Sequence, residues 1–152
     1  MIEIAIDGTA ASGKGTLGKK LSNKYNFPYL DTGILYRKVA FHIIKEQLNY
    51  TSDLEKQCCD FARNLILEEF KNENLRTEIV AELASKIATF PVLRKILNNK
   101  QKDFNKINKN KYGGCILDGR DIGTIILPNA DFKFFITASL EVRAKRRLLE
   151  KN

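Results

Sequence analysis

One stretch near the start of this chain constrains its fold more than any other. Gly8-Thr9-Ala10-Ala11-Ser12-Gly13-Lys14-Gly15-Thr16 carries the spacing G-x-x-x-x-G-K. It directly follows Ile2-Glu3-Ile4-Ala5-Ile6-Asp7, a β-branched, mostly apolar run that reads as a buried parallel strand. Beyond it Leu17, Leu21 and Tyr25 recur every four residues, which predicts a helix from Lys14 to about Tyr25 with these side chains on one face. Glycines are needed because a loop whose amides all point inward must visit positive φ and approach an anion's oxygens closely. The following helix aims its free N–H groups and positive dipole end at the same anion. Lys14 adds a mobile point charge for β- and γ-phosphates. A purely structural turn would not need that lysine, so Gly8 to Thr16 is expected to hold a triphosphate tail.

The rest of the chain alternates strand and helix signals. Pro28 blocks continuation of the first helix, and Tyr29-Leu30-Asp31 fits a second short strand. Ile34 to about Leu48 is apolar at helical spacing through Leu35, Val39, Phe41, Ile43 and Ile44. Ser52-Asp53 looks like a helix start, and Asp53 to Phe70 is amphipathic, with Phe61, Leu65, Ile66 and Phe70 on its apolar side. Thr77 to Thr89 reads as another helix, and Pro91 fits the first turn of a third that runs to about Asn105. Lys106 to Gly114 reads as a polar loop, Cys115–Asp118 and Phe132–Ile136 as strands, and the chain from Ser139 onward as a basic helix. This order predicts an α/β fold, a parallel sheet flanked by helices. The helical block from 53 to 105 is too long for a plain crossover and is expected to be a small inserted subdomain.

Composition narrows the partners. The net charge of +8 suits an enzyme that holds several phosphates, and it would also suit RNA. The basic stretch from Lys100 to Lys111 holds a single aromatic, Phe104, rather than an interleaved series, so nucleic acid is disfavoured as a partner. The cysteines (Cys58, Cys59 and Cys115) show no metal-ligand spacing, adjacent Cys58 and Cys59 would point apart on a helix, and His42 is the single histidine. These read as packing residues rather than a zinc site. No apolar run approaches the ~20 residues that span a bilayer, and Met1 runs straight into a strand without a secretory signal. The cytoplasm is the expected location, with no membrane partner.

Cys115-Ile116-Leu117-Asp118 is an apolar strand ending in an acid. Such a carboxylate, beside the loop strand, can hold a magnesium-bound water, although many strands end in Asp for turn reasons. Three further clusters could face a second phosphate-bearing substrate. They are Asp31-Thr32-Gly33-Ile34-Leu35-Tyr36-Arg37, the stretch from Arg76-Thr77-Glu78 through Ala84-Ser85 to Phe90-Pro91-Val92-Leu93-Arg94, and Asp118-Gly119-Arg120-Asp121-Ile122-Gly123-Thr124. Taken singly, Arg76 and Arg94 could equally pair with helix-surface acids, and Tyr36 could be plain core.

These clusters, in this order after a G-x-x-x-x-G-K-G-T loop, resemble the signature stretches of bacterial cytidylate kinases, over residues 2 to about 149. The resemblance implies ATP-dependent phosphorylation of CMP or dCMP, with Mg2+ accompanying ATP. Gly15 stands where the common loop pattern has Ser or Thr; the hydroxyl comes at Thr16, as in nucleoside monophosphate kinases, where it lies near the phosphates and magnesium. By the same resemblance, Tyr36, Arg37, Arg94 and Arg120 would surround the acceptor monophosphate. Asp31 would belong to the acceptor side too, Ser85 and Arg94 would face the cytosine edge, and Asp121 would contact the sugar. Arg143, Arg146 and Arg147 fall where a mobile lid begins and where arginines meet donor phosphates. The expected catalytic set is Lys14, Asp118, Arg120 and Arg147.

The domain expectation is one kinase domain over 1–152, with a core of 1–50 and 112–138, an acceptor-binding insertion over about 51–111, and the start of a lid at 139–152. Family members continue for tens of residues further, with the rest of the lid, and the segment between Arg37 and Arg76 is short beside theirs, so this chain is expected to bind nucleotide phosphates but to turn over poorly. A monomer is expected, with self-association through the uncovered sheet edge as the alternative. Phosphoryl transfer passes through a loose transition state, so positioning and charge neutralisation suffice, and a lysine, a magnesium ion and arginines supply both. Two other readings stay open: a different small-molecule kinase built on the same loop, and a nucleotide-binding remnant without catalysis.

Overall fold

The computed structural model describes residues 1–48, 53–67 and 74–149. The chain divides into two compact units, Met1–Thr32 with Lys102–Asn152, and Gly33–Gln101.

The first unit is built on a four-stranded parallel sheet. β1 (Ile2–Gly8), β2 (Tyr29–Asp31), β3 (Gly114–Gly119) and β4 (Phe132–Ile136) lie in the order β2-β3-β1-β4. β3 is central and buried at every position, which explains its unbroken apolar run. Strand alternation sends side chains to two different cores. Ile4, Ile6 and Ile116 meet Leu17 and Leu21 of helix α1 (Lys14–Tyr25), together with Phe27, Tyr29 and Ile136. Ala5, Leu30, Cys115 and Leu117 cluster instead with Ile122, Ile126, Leu127 and Phe104. The parallel sheet with flanking helices is the architecture expected from the sequence. Tyr25 departs from expectation: it lies half exposed at the end of α1 and stacks on Phe27 rather than entering the core.

The second unit is helical. α2 (Gly33–Lys45), α3 (Leu54–Asn64), α4 (Glu78–Ile87) and the first turns of α5 (Pro91–Tyr112) enclose one core. Leu35, Val39, Ile43, Cys58, Leu83, Ile87, Leu93 and Leu97 are buried in it. Thr77, expected as the first helical residue, instead caps α4 by accepting a hydrogen bond from the Val80 N–H at 3.4 Å. His42 stacks on Phe61 with ring centroids 3.9 Å apart, and burial lowers its pKa, so it is a packing residue.

Several boundaries differ from the sequence reading. α2 stops at Lys45, where Gln47 adopts a left-handed φ of 51° and Leu48 N–H reaches back to the Ile43 carbonyl. α3 stops at Asn64, and its buried face is Leu54, Cys58, Cys59 and Ala62. Leu65 is buried only after the helix has ended, and Ile66 is half exposed. Ser52 and Phe70 lie outside the described residues. The largest correction is at 106–112, expected as loop but forming the last turns of α5. Polarity there misled, because the run contains no helix breaker before Gly113, whose φ of 77° ends the helix. Phe104 packs on the sheet, while Asn105 and Lys109 both donate to Glu3 Oε1.

Candidate active site

The loop between β1 and α1 is wound as its glycines require. Gly13 has a φ of 102°, and Ala11 is also left-handed at 57°. The Ser12 N–H donates to the Thr9 carbonyl at 3.3 Å, closing the turn. Gly13 caps α1 without a side-chain hydrogen bond, so the opening N–H groups of the helix are not capped by a side chain. Thr9 Oγ1 and Ser12 Oγ are buried without a hydrogen-bond partner. Lys14 opens the helix, and Thr16 sits exposed in its first turn. The result is a cradle of donors at a helix N-terminus, suited to an anion.

Asp118 lies beside this loop because the parallel register sets Ile6 of β1 opposite Asp118 of β3. It is almost wholly buried. Its Oδ2 accepts from the Tyr29 hydroxyl at 2.8 Å. Its Oδ1 is buried and receives no hydrogen bond. Burial above all, then the charge of Asp31, pushes its pKa up to about 6, against the pull of Lys14 and the Tyr29 hydrogen bond. A Cβ added at Gly15 would lie 3.5 Å from Asp118 Oδ2, so the glycine after Lys14 brings the helix start close to the carboxylate.

The donor set fits a divalent cation of the magnesium type. One buried carboxylate oxygen is left to accept, and the Thr16 hydroxyl stands in the first turn of the adjoining helix. Among the described residues there is no group of three or more His, Cys, Asp or Glu able to cage a metal. Such a cation is held by few protein ligands and completed by phosphates and water.

The Asp118–Thr124 cluster is fixed by two residues. Thr32 donates to the Asp118 carbonyl from its N–H at 3.0 Å and from its hydroxyl at 2.7 Å. Asp7, the last acid of β1, receives the Ile122 and Gly123 N–H groups at 2.8 Å each. These hold a π-helical turn over Ile122–Ile126, which begins at Asp121 and sets Arg120 exposed just before it. The sequence reading assigned no role to Asp7. An acid one residue before the glycine loop was the available signal.

Arg146, expected among the arginines that meet donor phosphates, bonds to the backbone of the loop. The Arg146 guanidinium, on α6 (Leu140–Leu149), donates to the carbonyls of Ser12 at 2.8 Å and Ala11 at 3.3 Å. Arg147, the arginine expected to be catalytic, is partly buried on the same helix. Arg143 turns back to the Ala138 carbonyl.

The remaining expected acceptor-side residues belong to the helical unit. Arg37 donates to the Leu75 carbonyl at 2.9 Å, and Arg94 to the Ala88 carbonyl at 3.2 Å. Ser85 is exposed and bonds back to the Ala81 carbonyl, while Arg76 is exposed ahead of α4. Tyr36 is partly buried against the helical core. No helix among the described residues is long and apolar enough to cross a membrane.

Comparison with known proteins accords with this arrangement. The family model described as Cytidylate kinase matches residues 4–152. A cytidylate kinase of Bartonella bacilliformis is 49% identical over 147 residues, which cover 97% of this chain and 66% of that protein. One from Methylocella silvestris is 46% identical over 149 residues, covering 97% of this chain and 65% of that protein. One from Acidiphilium cryptum is 45% identical over 150 residues, covering 99% and 68%. The chain thus spans about two thirds of the length of these curated relatives. A glycine-lysine loop before a capless helix, a buried acid on the neighbouring strand and this extent of identity together place the chain in the cytidylate kinase family.

Proposed function

We propose that this chain carries out the ATP-dependent phosphorylation of CMP or dCMP to the diphosphate. The observation that carries the reading is the juxtaposition of the Gly8–Thr16 cradle with a buried carboxylate that keeps one oxygen available, Asp118 Oδ1. Backbone N–H groups of the loop and of the first turn of α1 bind the ATP phosphates, and Lys14 neutralises charge on the β- and γ-phosphates as the bond to the leaving oxygen breaks. The Thr16 hydroxyl and, through water, Asp118 would hold Mg2+, which would supply charge neutralisation. Arg120 and Arg147 offset negative charge on the transferring group. Tyr36, Arg37, Arg94 and Arg120 bind the acceptor phosphate, and Asp31 belongs to the same acceptor-binding set. Ser85 and Arg94 read the base edge, and Asp121 holds the sugar.

In this reading residues 1–50 and 112–138 form the kinase core, about 51–111 the acceptor-binding insertion, and 139–152 the start of a lid. The enzyme works as a cytoplasmic monomer in pyrimidine nucleotide metabolism. The test is conversion of CMP to CDP with ATP by the chain, beside a Lys14→Met variant. Conversion by the parent and its loss in the variant support the proposal. Equal activity in both would remove Lys14 and its loop from the mechanism. ATP binding by the parent alone, without CDP formation, would replace the kinase with a nucleotide-binding protein.

A further inference from the structure

We propose that Tyr29 is a positioning residue that holds the Asp118 carboxylate, through its hydroxyl, against the first turn of α1. The inference rests on the nucleotide-binding reading of the Gly8–Thr16 loop, and it adds a residue on β2 to that machinery. Tyr29 touches neither reacting group in this scheme and acts through Asp118.

Three observations carry it. First, the Tyr29 hydroxyl donates to Asp118 Oδ2 at 2.8 Å, so this oxygen is committed while buried Oδ1 is left to accept. Second, the phenol ring lies along a glycine face of α1. A Cβ at Gly18 would meet Tyr29 Cε2 at 2.4 Å, and one at Gly15 would lie 3.5 Å from the Tyr29 oxygen. Gly15 and Gly18 are one turn apart, and the ring seats in a notch that Gly18 leaves open, with its hydroxyl in contact range of Gly15. Third, the charges of Asp31, Lys14 and Asp7 all act on Asp118.

The chemistry of the donor decides what this arrangement does. An arginine or lysine at position 29 would cancel the carboxylate's charge. A phenol donates a hydrogen bond and leaves the charge in place. Without it, Asp118 would carry two unsatisfied buried oxygens and no fixed orientation. Tyr29 therefore holds the carboxylate in the orientation that leaves Oδ1 to a metal–nucleotide complex.

The test compares the parent, Tyr29→Phe, Asp118→Asn and the double variant by calorimetric titration with ATP, once with Mg2+ and once with EDTA. Phenylalanine keeps the ring in the Gly18 notch, and an unchanged thermal midpoint checks that the fold survives. The expected result is a fall of roughly five- to tenfold in the Mg2+-dependent gain in ATP affinity, the size of a hydrogen bond to a charged group partly replaced by water. Metal-free affinity should stay within about twofold of the parent, because the loop amides are untouched. In the Asp118→Asn background the tyrosine substitution should add nothing. Equal losses with and without Mg2+ would show that Tyr29 only shapes the loop, and additive losses in the double variant would show that it acts elsewhere. Either result, no loss in Tyr29→Phe, or a parent whose ATP affinity ignores Mg2+, overturns the proposal. A parent with the Mg2+ gain intact but no CDP formation refutes the kinase reading and leaves this one standing.

Discussion

The Arg146 guanidinium sits 2.8 Å from the carbonyl oxygen of Ser12, so a cation of α6 is held by the backbone of the phosphate loop itself. Its second bond, to the Ala11 carbonyl, spans the turn in which Ala11 and Gly13 are left-handed. A peptide's carbonyl and N–H point in opposite directions, so holding the Ser12 carbonyl outward turns the Gly13 N–H the other way. Neutral carbonyls are also weaker partners for a guanidinium than phosphate oxygens. Arg146→Ala should therefore weaken ATP binding by roughly three- to tenfold, within the range of an ordinary net hydrogen bond. Arg147→Ala should have a smaller effect on binding. Calorimetric ATP titration of the two variants checks the order, and a larger binding loss at Arg147 would reverse the assignment.

Asp118 makes the same site a liability for stability. Its pKa rises from an ordinary carboxylate value to about 6, chiefly through burial. The sign follows from proton binding: the folded state holds the proton more tightly than the unfolded state, so folding is penalised once the group must ionise. The penalty is absent below about pH 4, grows through the window up to about pH 6, and is complete above it. Its size is on the order of 1–3 kcal/mol. Asp118→Asn keeps an acceptor for Tyr29 and removes the charge. Without nucleotide or metal, it should be more stable than the parent at about pH 8 and nearly equal to it at about pH 4. Denaturant unfolding at both values checks this, and a destabilised variant at the higher pH would contradict it.

What could be read from the sequence follows from the range of the interactions. The glycine loop is local, with strand, turn and helix contiguous, and Lys14 and Thr16 stand in the helix start as expected. The parallel sheet was legible because its strands are separated by helices. Long-range partners were not. Tyr29 and Asp118 are 89 residues apart, Asp7 and Ile122 are 115, and Arg146 and Ser12 are 134. No periodicity encodes such pairs. The end of α5 was misread for another reason: Lys109 looks like a loop residue until Glu3 is seen to receive it together with Asn105. Polarity marked a tertiary hydrogen-bond site there, and the loop signal was really the glycine at 113.

The cysteines offer a test of packing. Cys58 and Cys115 thiols are both pushed up to about 12, mainly by burial, and burial also raises Cys59. Because the thiolate is the reactive species, the native protein should react with iodoacetamide very slowly at neutral pH. In denaturant all three should label fully, as counted by mass. Fast labelling of the native protein would mean that either the helical core around Cys58 and Cys59 or the central strand carrying Cys115 opens readily.

Gly8 ties the phosphate loop to the edge of the sheet. It is the last residue of β1 and is paired with Ile136 of β4, and a Cβ there would fall 2.2 Å from the Ile136 carbonyl oxygen and 3.0 Å from Ser12 Oγ. The first of these is backbone, which cannot move without unpairing β4, so relief must come from shifting the loop. Gly113 provides the contrast: its φ of 77° disfavours any other residue, but an added Cβ meets nothing within 4 Å. Gly113→Ala should thus cost about 1–2 kcal/mol through left-handed backbone strain and leave ATP binding unchanged. Gly8→Ala should cost more, about 2–4 kcal/mol, and reduce ATP affinity at least tenfold because the strain is relieved in the phosphate cradle. Denaturant unfolding and ATP titration of both variants measure the two effects. If Gly8→Ala matched Gly113→Ala in stability and kept its ATP affinity, the close approach of β4 would not be what sets the loop's position.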